Sequence, residues 1–61
     1  MTQAQQITSI LQKATSQGVD AWSFYQHDGT VDIRVPSRLD STKLRTLCSI
    51  DADGAVTWFY R

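Results

Sequence analysis

The chain has 61 residues, with six Lys plus Arg, six acidic residues, one His and 41% hydrophobic residues, so its formal charge is zero. A domain of this size buries only about 60% of the surface its unfolded chain exposes, which excludes a multi-domain enzyme or a large cofactor fold. The single Cys48 excludes an internal disulfide and fits a reducing, cytoplasmic compartment; no apolar stretch approaches the roughly 20 residues that span a membrane, and the Gln-rich N-terminus lacks a signal-peptide pattern.

Ala4, Ile7, Ile10, Leu11 and Ala14 recur at offsets of three and four, one stripe of an amphipathic helix predicted over residues 3–17. Thr2 with Gln5 reads as a capping box, and Gly18 as the residue that enters the left-handed region and ends the helix. The outward face (Gln3, Gln5, Gln6, Thr8, Ser9, Gln12, Lys13) is nearly uncharged and offers no electrostatic steering.

From Ala21 the apolar period becomes two, and Asp28-Gly29 sits between two β-rich runs, a strong hairpin signal. A two-residue turn sets Trp22 opposite Val35, Phe24 opposite Ile33 and Gln26 opposite Val31, with every large apolar residue on one face. A three-residue turn sets Trp22 opposite Arg34 and Phe24 opposite Asp32. Burial of a shared apolar face favours the first register, since a slip of one residue turns a strand over. Ser23, Tyr25, Asp32 and Arg34 then lie on the other face, and Pro36 closes the second strand.

Residues 37–45 read as a loop or single helical turn leading into a strand. At the second hairpin a three-residue loop, Ala52-Asp53-Gly54, sets Ile50 opposite Val56 and Cys48 opposite Trp58. The fold class is therefore α+β: one domain over 1–61, an N-terminal helix packed on one face of a four-stranded antiparallel sheet made of two hairpins. If residues 40–47 are helical the order becomes αββαβ with three strands. The expected core is Ile7, Ile10, Leu11, Trp22, Phe24, Ile33, Val35, Ile50, Val56 and Trp58.

No catalytic, cofactor or metal site emerges from the residue pattern. His27 falls at a turn tip, with no third group placed to orient it as a base. Cys48 reads as a small buried hydrophobe rather than a nucleophile. Asp51-Ala52-Asp53-Gly54 imitates part of a calcium loop, but with Gly54 as its sixth position the twelfth is Tyr60, where the bidentate Glu should stand. Gly18, Gly29 and Gly54 are each used by a cap or turn, so no phosphate loop exists. A non-enzyme without cofactors is expected.

What remains is a surface. The expected registers gather Tyr25, Arg34, Arg45, Leu47 and Phe59, with Arg61, on the sheet face turned away from the helix, among Ser23, Asp32, Ser49 and Thr57. Leu47 opposite Phe59 is an apolar pair that a single helix cannot cover, and Tyr, Phe and Arg concentrate binding energy at interfaces. The leading expectation is a small protein-interaction module, an adaptor, inhibitor or regulator, that binds a partner protein through this outer face. A homodimer is expected because a strand ending in Trp58-Phe59-Tyr60 invites pairing. The alternative is a nucleic-acid-binding regulator using Arg34, Arg38, Lys43 and Arg45, since residues 34–45 carry a net charge of +3; zero net charge overall weighs against it. Size alone suits an accessory protein of a phage or plasmid.

Overall fold

Helix α1 spans Gln3–Ser16 and starts at Thr2. The Thr2 hydroxyl accepts from the Gln5 amide at 3.2 Å while the Gln5 side chain accepts from the Thr2 amide at 2.8 Å, so two amides without intrahelical partners are satisfied reciprocally. At the other end the Gly18 and Val19 amides donate to Thr15 and Ala14 carbonyls, and Gly18 adopts φ +73°, the glycine-ended cap read from the sequence. Ile7, Ile10 and Ala14 are the buried stripe.

This computed structural model describes residues 1–59. Four strands follow the helix: β1 (Trp22–Tyr25), β2 (Val31–Pro36), β3 (Leu44–Ile50) and β4 (Val56–Trp58). They form one antiparallel sheet in the order β1-β2-β3-β4. α1 packs on one face, where Ile7 and Ile10 meet Val31, Ile33, Cys48 and Ile50; the last four are wholly buried. Leu11, Ala21, Leu47 and Val56 complete the packing. Residues 37–43 form a turn closed by the Ser37 amide donating to Lys43 and held by the Asp40 carboxylate, which accepts from the Thr42 amide and hydroxyl. The strand beginning at Leu44 therefore replaces the αββαβ alternative.

The second hairpin has the register read from the sequence, with Ile50 opposite Val56 and Cys48 opposite Trp58. The first does not. Trp22 lies opposite Arg34, Ser23 opposite Ile33, Phe24 opposite Asp32 and Tyr25 opposite Val31. Backbone conformation at the turn supplies the reason. A two-residue Asp28-Gly29 turn needs positive φ at both central residues, but among the described residues every positive φ belongs to glycine. The loop is His27-Asp28-Gly29: the Gln26 amide donates to the Thr30 carbonyl at 2.8 Å, and Gly29 alone enters the left-handed region at φ +90°. Asp28, kept at negative φ, accepts from the Thr30 amide and hydroxyl. Those bonds, the hydroxyl's first, hold its carboxyl below its ordinary range. The Ala52-Asp53-Gly54 loop repeats the arrangement, including the Asp53 side chain accepting from Ala55.

The consequence for the core is a correction. Trp22 (46% exposed) and Phe24 (38%) lie on the face away from the helix, and Trp58 is 56% exposed at the helix side. Val31, Cys48 and Ala14 take up burial that the sequence pattern assigns to those aromatics.

Candidate interaction surface

Pairing between β2 and β3 is interrupted by a bulge: Ile33 faces Cys48 but Arg34 faces Thr46, leaving Leu47 as the extra residue. The irregularity reverses the alternation of β3 on its N-terminal side. Arg45 stands opposite the buried Val35 and so lies on the helix side of the sheet, and Leu47 turns partly into the core. The first-hairpin register moves Ser23 and Tyr25 to the same side, with Tyr25 exposed on edge strand β1. The expected outer surface of Tyr25, Arg34, Arg45, Leu47 and Phe59 therefore does not assemble: Arg34 stays, while Tyr25, Arg45 and Leu47 belong to the opposite side. The Phe59 amide donates to the Leu47 carbonyl at 3.0 Å, so these two residues are opposite as expected. They do not form an uncovered apolar pair, because Leu47 packs inward. Tyr60 and Arg61, placed by the sequence reading on the terminal strand and the outer face, lie outside the described residues.

In place of that surface the open face presents Trp22 and Phe24 from β1, Asp32 and Arg34 from β2, Thr46 and Ser49 from β3, and Thr57 from β4. The Arg34 guanidinium carbon sits 5.2 Å from the centroid of the Phe24 ring, within the roughly 6 Å range of a cation–π contact. Asp32, directly opposite Phe24, accepts from the Gln26 side chain at 3.1 Å. One cation and one anion thus share the face with two large aromatics, and α1, the one described helix, lies on the other side.

The basic segment does not form one track. Arg34 is on the open face, Arg38 and Lys43 are exposed in the turn after β2, and Arg45 is on the helix side. His27 is exposed in its loop. Cys48 is a free, wholly buried thiol that burial, with the Asp32 carboxylate adding to it, pushes up to about 11, so the reactive thiolate is suppressed at neutral pH. Among the described residues no three His, Cys, Asp or Glu side chains are gathered as a metal site would require, and no helix is long and apolar enough to cross a membrane. Sequence reasoning missed Trp22 and Phe24 as surface residues; the signal that finds them is the Asp-Gly loop shared by both hairpins. No known protein family, curated protein or solved structure matches this chain.

Proposed function

We propose that the chain is a non-enzymatic protein-interaction module, an adaptor, inhibitor or regulator, that docks a partner protein on the open sheet face in the cytoplasm. The observation that carries this reading is the exposure of Trp22 and Phe24 side by side on a face that no described element covers. Trp and Arg are the residues most enriched among those that dominate interface energetics. Arg34, already laid over Phe24, has less rotamer freedom to lose when a partner closes over it. Balanced charge on this face, Asp32 with Arg34, and the dispersal of the other cations favour a protein over a nucleic acid, whose phosphates reward a continuous basic track.

The test is affinity capture of the tagged full chain from a lysate of its host, half of it nuclease-treated, alongside a Trp22→Ser, Phe24→Ser double variant shown by circular dichroism to be folded. A specific protein retained in both halves by the parent and lost by the variant is the expected result. Sedimentation of the purified chain identifies a second copy as that partner where it applies. Retention unaffected by the double substitution, or lost with nuclease, overturns the proposal.

A further inference from the structure

The edge of the sheet carries a feature separate from its open face. β1 is the outermost strand beside β2, and among the described residues no strand lies on its other side. The Gln26 amide donates to the Thr30 carbonyl at 2.8 Å, which makes Gln26 and Thr30 a hydrogen-bonded pair of the first hairpin. Such pairs alternate along an antiparallel ladder. Phe24 and Trp22 therefore turn their amides and carbonyls toward Asp32 and Arg34, while Ser23 and Tyr25 turn theirs outward. Edges of this kind are commonly blunted by charges, a proline or a bulge. β1 has none of them: Trp22-Ser23-Phe24-Tyr25 is uncharged, contains no proline and pairs with β2 in unbroken register.

We infer that β1 pairs antiparallel with β1 of a second copy across a twofold axis at Phe24, joining the two sheets into one. The outward groups fix the register: Ser23 stands opposite Tyr25 of the second copy, and each such pair exchanges both of its amide–carbonyl bonds. Residues directly opposite share a face. Tyr25, 73% exposed on the helix side, then lies over the small Ser23 of the second copy. On the open side Phe24 meets its own counterpart, with Trp22 of each copy on the diagonal, and aromatic pairs across a ladder are favourable. A charge at the centre of β1 would meet its like at the axis, whereas this uncharged strand meets its own copy without repulsion. Large beside small on one side and aromatic beside aromatic on the other make the edge complementary to itself, as a closed twofold contact requires. The pairing does not rest on the docking proposal; it leaves the open face uncovered and brings the aromatics of two copies into one band.

The purified full chain is the test material, followed by sedimentation and amide hydrogen exchange from about 10 μM to about 1 mM. A dimer should form, and the Ser23 and Tyr25 amides should gain protection in step with its fraction, while the Trp22 and Phe24 amides, already bonded to β2, change little. A mixture of isotope-labelled and unlabelled chains should show a nuclear Overhauser contact between the Phe24 α-protons of the two copies. Tyr25→Pro removes an outward amide without breaking a β1–β2 bond; it should weaken association at least about tenfold, from the hydrogen bond lost by each copy. Tyr25→Phe, which keeps both amide and ring, should associate as the parent does. A chain still monomeric at about 1 mM, a dimer whose Ser23 and Tyr25 amides stay unprotected, or contacts between copies at Trp58 or across the open face in place of β1 overturns the inference. Docking of a partner on the open face is read by capture and fails or succeeds separately.

Discussion

At the scale of single residues, the two hairpin glycines separate conformational strain from crowding. Gly29 adopts φ +90°, and a Cβ there would meet only the Ala52 side chain at an ordinary 3.7 Å. Gly54 adopts φ +96°, and a Cβ there would collide with the Met1 carbonyl. Gly29→Ala should cost about 1–2 kcal/mol, the left-handed penalty alone; Gly54→Ala should cost at least about 1 kcal/mol more, because the N-terminal backbone must also move. Urea denaturation of the two variants measures the difference. Cys48 makes a second residue-level prediction. Its pKa is raised from 9.0 to about 11 in the folded chain, so the folded state holds its proton where the unfolded state has released it. The contribution is fully present below pH 9 and is lost as pH rises through 11, by about 3 kcal/mol in all at 1.36 kcal/mol per unit. Stability measured from pH 8 to 11 should fall in the parent and fall less in Cys48→Ala, and a thiol reagent at neutral pH should react only as fast as the chain opens.

At the scale of elements, the helix start and the two loops are tied together by Gln3, whose side-chain amide donates to the Gly29 carbonyl at 2.7 Å and the Ile50 carbonyl at 3.2 Å. Gln3→Ala should cost about 1–2 kcal/mol for the two bonds, read from the denaturation midpoint. The helix, its caps, the four strands and the second hairpin were legible in the sequence because each rests on local chemistry: apolar spacing, a capping box, Asp-Gly turns. The first hairpin register was not. Aromatic burial suggested one register for β1, whereas turn conformation favours the other, and the strand turned over with Trp22 and Phe24 on it. The pattern that resolves the conflict is Asp-Gly-x-Val, present at 28–31 and 53–56, which builds the same three-residue loop twice. The β3 bulge had no local signal, since Leu47 is an ordinary strand residue and the irregularity arises from pairing with β2. That one extra residue took Arg45 and Leu47 off the expected outer surface, as the first-hairpin register took Tyr25.

At the scale of the whole molecule, the chain has more large aromatics than one small core accommodates. The core is built from Ile, Val, Ala and Cys, and Trp22, Phe24 and Trp58 are left on two surfaces. Core and surface should therefore respond differently to truncation. Ile33→Ala should cost about 2–5 kcal/mol, whereas Trp22→Ser and Phe24→Ser should each cost about 1 kcal/mol or less while removing the proposed docking surface. Thermal melts compared with partner capture test both halves of that statement.

The interaction reading depends most directly on which way β1 faces. Nuclear Overhauser contacts across β1 and β2 test this in the isolated chain. Contacts from the Phe24 ring to the Arg34 side chain are expected, with Ser23 paired opposite Ile33. Contacts from the Phe24 ring to the Ile33 methyl groups, with Trp22 paired opposite Val35, would return the aromatics to the core and contradict an outward-facing β1.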